Sequence, residues 1–194
     1  KLFGAQIKSD GWMYNTTLNQ DVGGDDIVNY GFAVKWQPSD NFDLKWHYEK
    51  MQDESDQGAY VNTNDATDLT CLIYQQCFSN STDTSTRNSS DGTNFSDNEY
   101  DTNIITANWQ MTDNLLLTYI GGFRDQDEQN MQDFDGSSAP MLRMNFFNVW
   151  DQKTHELRVS STSDSPFQFI AGLYSFEADY EQVWDVLRFV HYAG

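Results

Sequence analysis

The stretch DQKTHELRVSSTSDSPFQFIAGLYSF, Asp151 to Phe176, decides how the chain is read. Leu157 and Val159 alternate with Glu156, Arg158 and Ser160. Beyond the polar run Thr162 to Pro166, the residues Phe167, Phe169, Ala171 and Leu173 fall on one side of a two-residue repeat. Successive side chains of a strand point to opposite faces, so the pattern predicts a hairpin with one apolar face. The other face carries Gln168, Gly172 and Tyr174 beside a charged pair from the preceding strand. Such a ribbon suits a soluble sheet, or a barrel with a wet interior and an apolar exterior.

The rest of the chain repeats this plan. Lys1 to Ser9 reads as a first strand. Tyr30, Phe32, Val34 and Trp36 alternate with Gly31, Ala33, Lys35 and Gln37, and after Pro38 to Asn41 the residues Phe42, Leu44, Trp46 and Tyr48 alternate with Asp43, Lys45, His47 and Glu49. Glu99 to Gln110 and Leu115 to Arg124 form another hairpin around Met111 to Asn114. Trp36 to Phe42 and Trp109 to Leu115 share a Trp-Gln-x-(Ser/Thr)-Asp-Asn-apolar frame, so two hairpins use one turn design. In each, an amphipathic Trp ends the incoming strand, where it suits the edge of an apolar layer.

The expected architecture is all-β: an antiparallel up-and-down transmembrane β-barrel segment of about seven strands, spanning residues 1 to 194. Short turns lie at Pro38 to Asn41, Met111 to Asn114 and Thr162 to Pro166. Long polar connections lie at the other end, through Asp26, from Asp53 to Asp97 and from Asp125 to Trp150. The middle one, about 45 residues, is far longer than compact soluble domains usually carry. By this parity Lys1 to Ser9 rises from the periplasm and Phe176 ends at the external face.

Composition agrees. The 194 residues are only 38% hydrophobic, with a mean hydropathy of -0.69, yet 15% are aromatic. That combination is expected where strands present one apolar face and hydrophilic loops make up much of the length. No apolar run reaches the roughly 18 residues of a transmembrane helix. A net charge of -19 with only 11 Lys and Arg excludes nucleic acid as a partner, because phosphate binding needs clustered cations. The acidic runs read either as solvated loops or as an anionic outer surface that recruits cations. Cys71 and Cys77 lie in a Ser/Thr/Asn-rich segment without a neighbouring His or third Cys. A local disulfide in an oxidising compartment is therefore expected rather than a zinc site.

Enzymatic motifs are absent. His155-Glu156 lacks the second His of a zincin helix, since Val159 occupies that position. There is no nucleophile elbow, phosphate-binding loop or Cys-x-x-Cys. No cofactor is expected. Asp125, Asp127, Asp133 and Asp135 are candidate ligands for a loop-bound calcium, although Asn130 stands where an EF-hand has Gly.

Glu156-Leu157-Arg158-Val159-Ser160-Ser161 and Phe169-Ile170-Ala171-Gly172-Leu173-Tyr174 resemble the barrel of bacterial TonB-dependent outer-membrane receptors. The Trp36 to Leu44 stretch is similar to hairpin turns of the same family. The resemblance implies a barrel of about 22 strands closed by a plug. It implies TonB-energised uptake across the bacterial outer membrane of a scarce ligand such as a ferric siderophore, cobalamin or an oligosaccharide. This chain shows no TonB box and no plug domain, so it would be an internal part of the barrel. The implied partners are outer-membrane lipid and lipopolysaccharide, a small-molecule ligand, and TonB through the plug region. Ligand contacts would then come from Trp12, Tyr14, Tyr60, Tyr74, Arg143 and Trp150, which combine aromatic stacking with donors. Two rival readings stand beside it. One is a complete eight-stranded outer-membrane barrel with a structural or adhesion role and Tyr180 to Tyr192 as its eighth strand. The other is a secreted all-β carbohydrate-binding module.

Overall fold

The two-residue repeats become strands that are longer than the sequence pattern predicts. The computed structural model describes every residue except 59, 62–85, 164 and 189–194. Its strands are β1 (Leu2–Lys8), β2 (Met13–Asn15), β3 (Gln20–Val22), β4 (Asp26–Ser39), β5 (Phe42–Asp53), β6 (Arg87–Asn88), β7 (Phe95–Thr112), β8 (Leu115–Asp133), β9 (Leu142–Ser161) and β10 (Ile170–Arg188). Seven of them form one antiparallel sheet in the order β1-β4-β5-β7-β8-β9-β10. It is a meander in which each long strand pairs with the next. Among the described residues β1 and β10 do not pair, so the sheet is an open wall rather than a closed barrel. A small second sheet, β3-β2-β6, is built from the first two connections.

The shared turn frame produces a shared geometry. Trp36 pairs with Leu44 and Ser39 with Phe42, and in the later hairpin Trp109 pairs with Leu117 and Thr112 with Leu115. Both hairpins slip register between those two pairs. Pro38 stands in the first slip, where its missing N–H costs no ladder bond.

Three expectations are corrected. Asp125 to Trp150 is not a long connection: β8 continues to Asp133 and β9 begins at Leu142, leaving only residues 134–141 between them. The hydrophobic pattern stops at Arg124 because both faces turn polar there, but the hydrogen-bonded ladder does not stop. Phe167 and Phe169 lie before β10 rather than within it, so the third turn is wider than Thr162 to Pro166. The strand also passes through Phe176 without a break to Arg188, so Phe176 is not its end and Tyr180 does not open a separate eighth strand.

Facing residues in the register share a side, which sorts every strand into two faces. One carries Phe32, Val34, Trp36, Phe42, Leu44, Trp46, Ile105, Trp109, Leu117, Tyr119, Phe123, Leu157, Val159, Ala171 and Leu173 near the turn end. The other carries Lys35, Asp43, Lys45, Thr106, Asn108, Thr118, Glu156 and Arg158 at the same level. Several polar groups on that second face satisfy one another. Thr118 Oγ1 donates to Asn108 Oδ1 at 2.9 Å, and Arg158 pairs with Glu156 at 3.5 Å.

Burial is inverted relative to a soluble sheet. Along β9, Val149, Asp151, Lys153, His155 and Leu157 are exposed, whereas Trp150, Gln152, Thr154, Glu156 and Arg158 are half-buried. Along β9 the polar side is the sheltered one and the apolar side the open one, with Leu157 44% accessible; on the edge strand β10 both sides are open, Leu173 at 77% and Tyr174 at 65%. The only fully buried hydrophobic residues described are Met13 and Ala139. They belong to the far-end connections, which knit into a polar cap. Asn15 Nδ2 donates to the Ser90 carbonyl at 2.9 Å, Asn94 Oδ1 accepts from the Asp133 amide at 2.7 Å, and the Asp91 amide donates to the Ser137 carbonyl at 3.0 Å.

Candidate functional site

The strands β7 to β10, of 18 to 20 residues, are about 60 Å long, roughly twice what crossing an apolar layer requires. Their far halves therefore stand clear of the apolar band, and there the sheltered face changes character. One rung of the sheet sets Met51, Tyr100, Gln126, Trp150 and Tyr180 side by side across five strands. The next rung outward is Asn98, Glu128, Asn148 and Gln182, and the one after it pairs Phe146 with Trp184.

A connected hydrogen-bond network holds these side chains. Glu128 Oε1 accepts from the Tyr100 hydroxyl at 2.6 Å and from Gln126 Nε2 at 2.7 Å, and Glu128 Oε2 accepts from Asn148 Nδ2 at 2.9 Å. Asn148 Oδ1 in turn accepts from Gln182 Nε2 at 2.9 Å and from the Tyr180 hydroxyl at 3.3 Å. Bonds to a carboxylate are the stronger kind, so Glu128 anchors the array. The Trp150 and Tyr180 rings lie 5.2 Å apart and those of Phe146 and Trp184 5.1 Å apart. Arg124 lies over the Tyr100 ring at 5.5 Å. Below it, Glu49, Met51, Tyr100, Thr102 and Arg124 line a hollow of about 440 Å³. Burial and the Glu128 bond push the Tyr100 phenol well above its usual range, which keeps it a neutral donor.

The opposite face at this level is acidic. Lys50, Asp101, Asp125, Asp151 and Asp179 share one rung at the edge of the apolar band. Lys50 pairs with Asp101 at 3.2 Å. Burial, followed by the hydrogen bond and charge of Asp151, raises the Asp125 carboxyl.

Of the residues expected to touch ligand, the structure brings Trp150 into the network face, and Tyr60 stacks at 5.3 Å on Phe134 next to Phe146. Arg143 points to the other side. Its guanidinium donates to the Asp91 carboxylate at 2.9 Å and to the Asp91 carbonyl at 3.0 Å, tying the connection before β7 to the start of β9. Tyr14 sits under Arg87 at 5.9 Å within the small sheet, and Trp12 covers Gly23. Tyr74, Cys71 and Cys77 lie outside the described residues.

The four candidate calcium ligands do not converge. Asp125 and Asp133 stand eight residues apart on one extended strand, about 26 Å, too far to share an ion. Asp133 is instead buried in the cap, where Oδ1 accepts from the amides of Asp135 and Gly136 and Oδ2 from the Ser90 hydroxyl. No group of three or more metal-binding side chains occurs among the described residues.

Tyr100, Glu128, Asn148 and Tyr180 escaped the sequence reading. Their signal was nonetheless present, because Phe146-x-Asn148-x-Trp150-x-Gln152 keeps the same two-residue period as the Thr154 to Arg158 run that follows it.

An antiparallel meander that sorts apolar side chains to one face near the turns, with large ones such as Trp36, Trp46 and Leu157 left open, is the architecture of a barrel wall. No family model and no curated protein matches the sequence. Among solved structures the chain is similar to the ferric yersiniabactin uptake receptor FyuA from Yersinia pestis, at 18% sequence identity and a TM-score of 0.66. The similarity covers 96% of this chain and 26% of that one, so the chain spans about a quarter of the length of the protein it matches. At that identity the likeness speaks for the fold.

Proposed function

We propose that these seven strands are a portion of the wall of a TonB-dependent outer-membrane receptor that takes up a small-molecule ligand. The inverted burial carries the proposal. Polar side chains such as Glu156, Arg158 and Thr118 line the sheltered face, while Leu157, Leu173, Trp36 and Trp46 stand bare on the other. In water that arrangement exposes a wide apolar surface at a cost of about 25 cal/mol per Å². In a bilayer it is the stable one, with lipid outside and water inside. The apolar band then contacts outer-membrane lipid and lipopolysaccharide, with Trp36 and Trp109 at one interface. TonB is the energising partner, and the role is transport rather than catalysis.

The same observation weighs against a secreted module, whose apolar faces would be covered. A complete eight-stranded barrel is disfavoured because β10 runs unbroken through Phe176 and β1 and β10 do not pair among the described residues. The test is fractionation of cells expressing the natural gene, with heating before electrophoresis. Recovery in the outer-membrane fraction with heat-dependent mobility is expected. Recovery as a soluble species sinks the proposal.

A further inference from the structure

The far half of the sheltered face has a chemistry of its own, and its ligand class follows from it if this face lines an uptake barrel as proposed above. Aromatic and amide rungs alternate there. Phe146 and Trp184 form one aromatic pair, Asn148 and Gln182 the amide rung below it, and Trp150 and Tyr180 the next aromatic pair. Along β10, Trp184 and Tyr180 lie four residues apart on the same side, about 13 Å.

Charge narrows the ligand further. On this face, the only cation on the described rungs from Glu49–Thr102–Arg124 to Asn98–Glu128–Asn148 is Arg124, and its guanidinium already lies on the Tyr100 ring. Phosphate or carboxylate recognition calls for several convergent cations, and a chain of net charge -19 repels anions at long range. Glu128 accepts from three side chains, Glu49 from Asn29 Nδ2 and Asp53 from the Ser55 amide, so these carboxylates are committed to the wall. What remains is a row of amide and hydroxyl groups, held in position by Glu128, between aromatic faces.

We infer that this face binds a neutral oligosaccharide. Sugar rings present C–H faces that pack on aromatic rings and hydroxyl edges that bond amides, and the alternation of rungs offers both in turn. Trp150, Tyr180 and Trp184 carry the stacking, while Asn148 and Gln182 exchange hydrogen bonds with hydroxyls. The pre-formed network removes part of the ordering cost of binding.

The experiment uses the natural full-length protein in lipid nanodiscs, titrated with maltohexaose, cellohexaose and mannohexaose, with oligogalacturonate and a ferric trihydroxamate as comparison probes. Calorimetry and tryptophan quenching give the affinities. At least one neutral hexaose is expected to bind. Trp150→Ala weakens it about tenfold or more, Trp150→Phe restores most of the affinity, and Lys153→Gln on the opposite face has no effect. Absence of binding by all three neutral sugars overturns the inference. So does preference for the acidic sugar or the ferric complex, or indifference to Trp150→Ala. Membrane fractionation of the same preparations separates the two failures. Protein in the outer membrane that ignores neutral sugars refutes the ligand class alone, whereas soluble protein refutes the receptor reading with it.

Discussion

Replacing Leu157 by Arg measures directly what surrounds the apolar face. Leu157 lies four residues inside the turn end of β9 at Ser161, about 13 Å along the strand. With a strand tilt of about 40° this is about 10 Å along the barrel axis, near the middle of an apolar band about 25 Å tall. Its cross-strand partners, Tyr119 and Leu173, offer no carboxylate to receive a guanidinium. The expected loss is about 2 to 4 kcal/mol, a factor of roughly 30 to 700 in the folding equilibrium. Val159→Arg lies only about 5 Å in and has water within reach of a long side chain, so about 1 kcal/mol is expected. Asp151→Arg, about 25 Å in at the far rim, should cost about 0 to 1 kcal/mol. The assay is urea unfolding of the natural protein in phosphatidylcholine vesicles, followed by tryptophan emission. In a soluble sheet, a side chain as exposed as Leu157 would tolerate the change within about 0.5 kcal/mol. Equal costs at all three positions, or no cost at Leu157, would refute the bilayer reasoning.

Two further outcomes test the wall and the cap. A Cβ at Gly31 would clash with the Tyr48 carbonyl oxygen and lie 2.6 Å from the Phe3 ring. Because the first of these is backbone, Gly31→Ala should cost about 1 to 3 kcal/mol, and an unchanged urea midpoint would contradict that. Burial, with the neighbouring Asp133 charge, raises the Asp135 carboxyl above its ordinary value of 3.8. The folded state therefore holds this proton more tightly than the unfolded state. The resulting stability is complete below about pH 4 and is lost as pH rises through the folded value. Exchange of the 134–141 amides, corrected for intrinsic rates, should show stronger protection at pH 4 than at pH 7 in wild type and a flatter profile in Asp135→Asn. Protection that grows with pH would reverse the sign.

Strand identity near the turns was legible because one face is apolar there and the other is not. Glu156 to Val159 and Phe42 to Tyr48 show that contrast at every second residue, and the repeated Trp-Gln frame predicted two hairpins of one turn design, in which the structure then placed a shared register slip. Legibility failed from Asp125 to Asp133, where both faces carry polar side chains and a two-residue period leaves little hydrophobic trace, and from Leu142 to Trp150, where apolar residues fall on both faces and blur the alternation. The candidate site lies in that region, so Glu128 and Asn148 were missed, although Trp150 was noticed for its ring alone. Arg143 was noticed for its charge, but strand parity places it on the side opposite Trp150, where Asp91 claims it.

The sequence by itself determined which residues share a face, because alternation follows from the pleat of a single strand. Only the tertiary structure decided which face is sheltered, since that depends on how seven strands curve together. It alone decided that Tyr100, Gln126, Trp150 and Tyr180 form one rung and that Glu128 gathers donors from three strands. Those contacts join residues up to about 80 positions apart, and cross-strand register, a property of neighbouring strands rather than of any one of them, is what brings them within bonding distance.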